Sequence, residues 1–323
     1  MSQKNIFVAG HNGMVGSSVC RNLHNASAGK YSVITAERAE LDLTNQSQVL
    51  EFFRSNRIDY VYLCAAKVGG IHANNKFPAD FIYQNLMIEM NIIHSAFLCG
   101  VQNLLFLGSS CIYPRDAIQP MTEDVLLSGR LEATNEPYAI AKIAGIKACE
   151  SYNRQHGTDY RSIMPTNLYG FHDNFHPLNS HVIPGLIRRF HEAKQNRLPE
   201  IMIWGTGTAM REFLFVDDLA DACSHIMEMP RLKYVELTDP QLSHLNIGSG
   251  IEHSIAELAN IIKKIIKYDG QILFDDSKPE GPPRKLMDSS KLLSTGWTAS
   301  HALETGIECT YSWLLDNLSL LKD

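Results

Sequence analysis

The first 110 residues alternate short, continuously apolar runs with longer stretches whose apolar residues recur at helical spacing. The apolar runs predict buried strands at residues 6–9, 33–34, 60–63 and 104–107. The stretches between them predict helices over residues 13–25, 46–56 and 85–99. This alternation is typical of a parallel sheet with helices on both faces. The sequence therefore predicts an α/β chain with a Rossmann-type, doubly wound parallel sheet.

The pattern continues for one more helix and one more strand. Residues 138–155 predict a helix that Pro137 opens, with Thr134 or Asn135 placed to cap it. Residues 161–164 predict a further strand.

After Gly170 the regular alternation ends. The remaining elements are predicted as a loop at 171–180, a helix at 181–192, a strand at 201–204, helices at 217–227 and 254–268, and a loop at 275–286. We assign residues 1–170, with a return segment at about 214–248, to a Rossmann domain. A smaller C-terminal substrate-binding domain is predicted from about 171–213 and 249–323.

Composition narrows the class of protein. The net charge is −6 and like charges do not form runs, which argues against nucleic acid or an acidic membrane as partner. The sequence shows neither a signal-peptide pattern nor an apolar run near 18 residues, and its seven cysteines form no C-x-x-C pair. These features predict a cytoplasmic protein with reduced thiols. His172 and His176 lie four residues apart in a stretch rich in Asn and Pro, and we predict no metal site there.

A glycine-rich segment directly follows the first predicted strand and opens the first helix. It has the spacing G-x-x-G-x-x-G and consists of Gly10, His11, Asn12, Gly13, Met14, Val15 and Gly16. Glycines permit a tight turn and close backbone approach, and the helix N-terminus receives a pyrophosphate. The alternative is an ordinary tight turn between strand and helix. The strand–turn–helix context favours a dinucleotide site.

The end of the second strand bears on the choice of dinucleotide. Ala36 stands where NAD enzymes usually carry an acidic residue for the ribose 2′-hydroxyl. Arg38 is suited to a 2′-phosphate, whereas Glu37 favours the opposite choice if it points inward. Asp42, directly after Leu41, is placed to contact adenine. We predict NADP(H), with Glu37 as the observation against it.

Three residues are predicted to carry reductive chemistry. Tyr138 and Lys142 lie one helical turn apart, and Ser109 lies just beyond the fourth strand, at the edge where open α/β sheets bind ligands. A free tyrosine has a pKa near 10, and a nearby ammonium should lower it. Ser109 would orient a substrate carbonyl while Tyr138 delivers a proton and a hydride reaches the carbon.

Together these features resemble the extended short-chain dehydrogenase/reductase family. The segment from Arg211 to Asp218 resembles its R-x-F-x-x-V-D-D motif, and residues 246–250 resemble its N-V-G-T-G motif. Within the family, the similarity is greatest to members that epimerise and reduce GDP-linked 4-keto-6-deoxy sugars. The similar stretches are residues 65–71, 81–85, 107–114, 135–145, 164–170 and 179–184.

This resemblance implies that Cys111 and His181 are the base and acid of an epimerisation. A 4-keto group acidifies the protons at C3 and C5, so a base on one ring face and an acid on the other can invert each centre. Free Cys and His titrate near enough to neutral pH for these roles. The alternatives are a small buried filler for Cys111 and a helix-capping or surface role for His181.

The resemblance also implies ligand contacts. The implied substrate contacts are Arg189, Trp204, Arg211, Glu280 and Lys285. The implied cofactor contacts, beyond the glycine segment, are Arg38, Leu41, Asp42, Leu107, Gly108, Lys142, Pro165, Asn167, Leu168 and His181. Asn12 departs from relatives that carry an Arg there, which weakens the prediction of strict NADP preference. A homodimer through helices 85–99 and 138–155 is implied as well.

Two other functions are compatible with the fold. A cofactor-recycling 4-epimerase or dehydratase is one, but family dehydratases place a carboxylate beside the catalytic Ser or Thr, where this chain has Ser110 and Cys111. A non-enzymatic dinucleotide sensor is the other. Such proteins can lose the Tyr/Lys pair, which this chain retains.

Overall fold

The computed structural model describes residues 3–26, 29–177, 179–278 and 283–321. Its strands are β1 Lys4–Ala9, β2 Tyr31–Ile34, β3 Tyr60–Leu63, β4 Asn103–Leu107, β5 Asp159–Pro165, β6 Asn167–Tyr169, β7 Glu200–Trp204, β8 Met210–Phe215, β9 His244–Ile247, β10 Glu252–Ser254, β11 Gln271–Asp275 and β12 Arg284–Lys285. Its α-helices are α1 Met14–Ala26, α2 Gln46–Ser55, α3 Ile71–Lys76, α4 Pro78–Leu98, α5 Glu136–His156, α6 Val182–Gln195, α7 Val216–Glu228, α8 Arg231–Leu237, α9 Ile255–Ile266, α10 Ser290–Leu293 and α11 Leu303–Asp316.

The centre of the fold is a six-stranded parallel sheet in the order β2-β1-β3-β4-β5-β9. The order reverses between β1 and β3, so the connections after these strands leave in opposite directions. Ligands of open α/β sheets bind at such a switch point, outside the carboxyl ends of the strands. The glycine segment follows β1 at this edge, and the segment containing Ser109 follows β4 at the same edge.

Helices cover both faces of this sheet. Helices α1 and α7 contribute Val19, Leu23, Leu219 and Ile226 to an apolar cluster on one face. Helices α2, α4 and α5 fill a second cluster with buried side chains, among them Val49, Phe53, Ile92, Ile93, Ile146 and Cys149. Burial on both faces explains why the strands read as continuous apolar runs. The predicted doubly wound α/β fold is confirmed.

Two helix starts differ from the prediction. Helix α4 begins at Pro78, seven residues before the predicted start, because Pro78 suits the first helical turn and the residues of mixed polarity after it are compatible with a helix. Helix α5 begins at Glu136, and its N-cap Asn135 makes no side-chain capping bond. The backbone of Asn135 has φ −129° and ψ 15°, which lies outside the extended region that N-cap residues usually adopt. Asn135 is therefore the N-cap residue, as predicted, but its side chain does not cap the helix.

Smaller sheets lie beyond the carboxyl edge. Strand β8 is flanked by β10 and β12 and also pairs with β6, while β7 pairs with β11. The predicted loop at 275–286 contains β12, whose Lys285 lies in register with Arg211 of β8. Only two residues of β12 form this pairing, too few to leave a periodic signal in the sequence.

A third apolar cluster joins α6, α9 and α11 to these smaller sheets. Its buried members include Leu186, Phe190, Leu258, Ile262 and Ile307. We propose that these elements form the substrate-binding domain. Its proposed bounds are residues 171–213 and 249–323, and β9 and α7 return to the Rossmann domain through residues 214–248.

Candidate active site

The glycine segment brings backbone close to backbone. Gly10 has φ +85°, and a Cβ there would lie 2.7 Å from the Cα of Ala65. A Cβ on Gly16 would lie 2.1 Å from the carbonyl oxygen of Gly10. Only glycine fits either position, and the segment ends at the N-terminus of α1. The bare backbone and the helix N-terminus together suit a pyrophosphate.

Glu37 is turned toward this segment. Its carboxylate accepts a hydrogen bond from Asn12 Nδ2 at 2.7 Å and lies 3.3 Å from His11 Nε2. These two contacts lower the pKa of Glu37, the Asn12 bond most. Arg38 is exposed beside it. The Glu37 carboxylate and the Arg38 guanidinium therefore both lie in the segment that was predicted to face the 2′-position of the ribose.

Leu41 and Asp42 also have structural contacts of their own. Leu41 is buried in the sheet's apolar cluster. Asp42 Oδ1 accepts hydrogen bonds from the backbone N and the hydroxyl of Thr44, at 2.9 and 2.7 Å, and these lower the pKa of Asp42. These contacts fix the start of the connection to α2 and hold the Asp42 side chain in one orientation.

Ser109 and Tyr138 meet at the carboxyl edge of the sheet. Ser109 follows Leu107 and Gly108 at the end of β4 and precedes a short 3₁₀ helix, Ser110–Ile112. Its Oγ accepts from the backbone N of Cys111 at 3.4 Å. Tyr138 lies in the first turn of α5, and its hydroxyl hydrogen-bonds with Ser109. The structure thus brings the hydroxyls of Ser109 and Tyr138 together, as the sequence predicted.

The expected lowering of the Tyr138 pKa is wrong. Burial raises the pKa of this hydroxyl well above its usual range, the charges of Cys111 and Glu89 act in the same direction, and the bond to Ser109 opposes them. The spacing placed Lys142 correctly, with its Nζ 5.8 Å from the centre of the Tyr138 ring. A raised pKa keeps Tyr138 protonated, which is the state that a proton donor needs.

Lys142 has a buried partner that the sequence analysis missed. Its Nζ lies 3.0 Å from Glu89 Oε1 and donates to the carbonyl oxygen of Leu107 at 2.9 Å. Both side chains are almost completely buried. Burial raises the pKa of Glu89 to about 7, against the opposing charge of Lys142. The available signal was an acidic residue within an otherwise apolar helical stretch, four residues after Asn85.

Cys111 and His181 are related through Lys285. Burial raises the pKa of the Cys111 thiol, which the charge of Lys285 opposes first and the bond to Ser109 second. His181 is the N-cap of α6, but its side chain makes no capping bond, so capping does not account for it. Its ring is solvent-accessible, yet surrounding protein lowers its pKa, and Lys285 adds to this effect. The charge of Lys285 therefore acts on both Cys111 and His181.

Lys285 and Arg211 form a cationic pair on adjacent strands. They lie in register between β12 and β8. Burial lowers the pKa of Lys285, and the charge of Arg211 adds to the lowering while Cys111 opposes it. The strand register thus brings two cationic residues to neighbouring positions.

The other predicted substrate contacts lie further along the smaller sheets. Arg189 of α6 is exposed, and its Nη1 donates to the carbonyl oxygen of Met202 in β7 at 3.4 Å. Trp204 ends the same strand with 60% of its surface exposed. Glu280 lies outside the described residues. Arg189 and Trp204 are thus both associated with β7, whereas Arg211 and Lys285 meet on β8 and β12.

Glu212 joins two motifs that the sequence analysis treated separately. This completely buried residue of β8 accepts a hydrogen bond from the backbone N of Gly250 at 2.7 Å. Its backbone oxygen accepts from Asn167 Nδ2 at 2.8 Å. Of the predicted nicotinamide contacts, Asn167 and Leu168 are therefore held to the strand that carries Arg211, whereas Pro165 pairs with Ile247 of β9.

Two asparagines organise the connection after β3. Asn85 bonds both the backbone N and the carbonyl oxygen of Lys67, at 2.8 and 3.0 Å. Asn74 donates to the carbonyl oxygen of Gly69 at 2.7 Å. A Cβ on Gly70 would lie 3.3 Å from the carbonyl oxygen of Asn179, so this connection packs against the segment that leads to His181.

Among the described residues, no group of three or more His, Cys, Asp or Glu side chains could hold a metal ion. The ring of His172 lies 4.9 Å from that of Trp313. None of the helices in the described part of the chain is long and apolar enough to cross a membrane.

Residues 6–248 match the NAD dependent epimerase/dehydratase family. The chain belongs to this family. It is 58% identical to a GDP-L-fucose synthase of Escherichia coli K12, over 98% of each chain, and 55% identical to GDP-L-fucose synthase 1 of Arabidopsis thaliana, over 98% of this chain and 96% of that one. Its structure resembles that of MlghC, a GDP-mannoheptose C4 reductase from Campylobacter jejuni with NADP bound, with a TM-score of 0.86, 36% identity and coverage of 98% and 99%. The family resemblance predicted from sequence is confirmed.

Proposed function

We propose that this protein is an NADPH-dependent enzyme that converts GDP-4-keto-6-deoxy-D-mannose to GDP-L-fucose. It inverts C3 and C5 and then reduces the keto group at C4. The observation that carries the proposal is that Ser109 contacts both other candidates at the edge of the sheet: its Oγ accepts from the backbone N of Cys111 at 3.4 Å and bonds the Tyr138 hydroxyl. The groups proposed for epimerisation and for reduction therefore lie around one serine. Relatives named GDP-L-fucose synthase, at 55–58% identity, support the substrate.

The residues present fit NADP(H). The glycine segment has no room for side chains at Gly10 and Gly16, so its backbone is open to a pyrophosphate at the N-terminus of α1. Arg38 would hold the 2′-phosphate, and Pro165, Asn167 and Leu168 would lie on the nicotinamide side. When bound, NADPH supplies the hydride that reduces C4. A relative in structure with NADP bound supports this assignment.

Epimerisation needs a base, an acid and support for an enolate. Cys111, as thiolate, removes the proton at C3 or C5, and the C4 oxygen then carries the negative charge. The hydroxyls of Ser109 and Tyr138 donate hydrogen bonds to that oxygen. His181 returns a proton on the opposite face of the ring, so the centre inverts. Lys285 opposes the desolvation of Cys111 and so favours the thiolate.

Reduction needs a protonated donor at the C4 oxygen. Ser109 orients this oxygen, and Tyr138 delivers its proton as the hydride arrives at C4. The raised pKa of Tyr138 keeps that proton in place until the transfer. Lys142, held by Leu107 and Glu89, lies beneath the tyrosine and fixes the polar environment of the site.

The test of this function is product analysis. The protein is incubated with GDP-4-keto-6-deoxy-D-mannose and NADPH, and the sugar product is identified by NMR. GDP-L-fucose with one equivalent of NADPH consumed is the expected result. Turnover without net consumption of NADPH would instead indicate a cofactor-recycling 4-epimerase or dehydratase.

Arg211 and Lys285 are proposed to bind the GDP diphosphate, together with Arg189. Loss of a charge-assisted contact costs about 1.5–3 kcal/mol, or roughly tenfold to a hundredfold in affinity. Lys285→Ala should therefore weaken GDP binding by about that factor in calorimetry and leave NADPH affinity unchanged. Lys278→Ala, which removes an exposed lysine just after β11, is the matched control. Equal loss of GDP and NADPH binding in Lys285→Ala would contradict the assignment.

Cofactor choice depends on the balance between Arg38 and Glu37. A single Arg–phosphate contact is worth about 1.5–3 kcal/mol, so we expect NADPH to be preferred over NADH by roughly tenfold to a hundredfold. Arg38→Ala should lose kcat/KM with NADPH and little with NADH. Glu37→Gln should raise the preference for NADPH, because it removes the negative charge that Asn12 and His11 hold near the phosphate. An unchanged NADPH preference in Arg38→Ala would show that another residue binds the phosphate.

The protein is further proposed to act in the cytoplasm as a homodimer. The surface of α4 and α5 supports the dimer, because Tyr83 and Ile140 project from these helices with 61% and 40% of their surfaces exposed. Sedimentation of the wild type and of Tyr83→Glu tests this interface.

A further inference from the structure

The geometry around Lys142 leaves little freedom to its ammonium group. An ammonium has three N–H donors. One is directed to the carbonyl oxygen of Leu107 at 2.9 Å, and a second faces Glu89 Oε1 at 3.0 Å. Both contacts are buried, so water does not compete for them. A single N–H remains for a ligand or for the region of Tyr138.

Within the part of the chain that the structure describes, Glu89 is paired with Lys142 alone. Apart from Lys142, neither of its carboxylate oxygens has a hydrogen-bond partner within the described residues. A carboxylate buried in this way is costly unless it is paired. An apolar residue in the middle of α4 would avoid that cost, so the stability of the helix does not account for Glu89.

We propose that Glu89 is a positioning residue, which holds the Lys142 ammonium in place and offsets its charge at Tyr138, so that the tyrosine keeps its proton at higher pH. This inference rests on the proposed reduction, in which Tyr138 must start protonated. Glu89 acts through Lys142 and touches neither substrate nor cofactor.

The charges near Glu89 give the direction of the effect. The titratable groups that face it are Lys142, Tyr138 and Cys149, all on α5. Without Glu89, the ammonium would act alone on Tyr138 and favour its phenolate. Tyr138 would therefore lose its proton at a lower pH than in the wild type.

The decisive experiment compares pH profiles of reduction in wild type and Glu89→Gln. Glutamine keeps the size of the side chain and an oxygen for Lys142, but removes the charge. The alkaline limb of kcat should move down by about one pH unit in Glu89→Gln. Glu89→Asp, which restores the charge at a greater distance, should move it in the same direction by less.

Glu150→Gln is the matched control. Glu150 is also a buried glutamate in an ion pair, with Lys147 at 2.9 Å, and it lies on the same helix as Tyr138. It also accepts from the backbone N of Ser243 at 3.1 Å. Its substitution should lower the melting temperature and leave the alkaline limb where it is in the wild type.

A second measurement does not depend on turnover. Tyrosine labelled with ¹³C at the ring carbon that bears the hydroxyl is titrated by NMR, and the Tyr138 signal is assigned from its absence in Tyr138→Phe. Glu89→Gln should lower the pKa of that signal. Folded Glu89→Gln with an unchanged tyrosine titration and an unchanged alkaline limb would overturn the inference. Should Glu89→Gln not fold, the same two measurements on Glu89→Asp decide. Absence of reduction in the wild type would refute the proposed function, and the titration would still decide the role of Glu89.

Discussion

Tyr138→Phe should lower kcat for reduction by about a hundredfold to ten-thousandfold, the usual range for loss of a general acid. The ring remains, with its edge contact to Phe81 at 6.3 Å, so the fold and NADPH binding should be retained. Only the hydroxyl that bonds Ser109 and donates the proton is removed. Single-turnover oxidation of NADPH, followed by absorbance, measures the effect directly.

Tyr311→Phe serves as the control, because Tyr311 lies on α11 and its hydroxyl contacts the ring of His191 at 3.1 Å. It should reduce the ketosugar at the wild-type rate. If Tyr138→Phe keeps a rate close to that of the wild type while Ser109→Ala loses it, another group donates the proton and the assignment of Tyr138 is wrong.

The second large effect separates the two half-reactions. In Cys111→Ala, exchange of deuterium from solvent into C3 and C5 should fall by about a hundredfold to ten-thousandfold, because the proposed base is gone. Slow reduction of the sugar that has not been inverted should persist, since Ser109, Tyr138 and Lys142 remain. NMR of the recovered sugar measures label at each carbon, and NADPH consumption measures reduction in the same sample.

Cys223→Ala controls for the loss of a buried thiol. Cys223 lies in α7 and is completely buried, so its removal should cost stability without affecting exchange. Label entering both carbons of the substrate at the wild-type rate in Cys111→Ala would place the base elsewhere in the pocket. Loss at one carbon alone would assign Cys111 to that centre.

Much of the fold could be predicted from the local pattern of apolar, polar and glycine residues. Strands buried on both faces leave apolar runs, and the glycine segment has a spacing that few other structures require. The start of α4 at Pro78 was missed because the residues before Asn85 are mixed in polarity, and packing of the later turns decides their conformation. Strand β12 was missed because it exists only through its pairing with β8.

In the site, too, contacts between residues close in sequence could be predicted, and contacts made only by the tertiary structure could not. Tyr138 and Lys142 are four residues apart on one helix, so their proximity is encoded locally. The partner of Lys142 comes from α4, more than fifty residues earlier, and no local spacing indicates it. The sequence therefore indicated the position of the lysine. The predicted direction for the pKa of Tyr138 was wrong mainly because burial of its hydroxyl, a result of tertiary packing, raises that pKa. Glu212 and Gly250 are likewise joined only by the tertiary structure.

The register of Arg211 and Lys285 also couples recognition to folding. Two cations on neighbouring strands repel each other, and burial makes that repulsion harder for solvent to screen. The proposed GDP diphosphate would offset the charge of Lys285 in the folded chain and has no comparable site in the unfolded one. By mass action, a GDP-linked ligand would then stabilise the folded protein. The concentration of that ligand would thus help to set the lifetime of the fold.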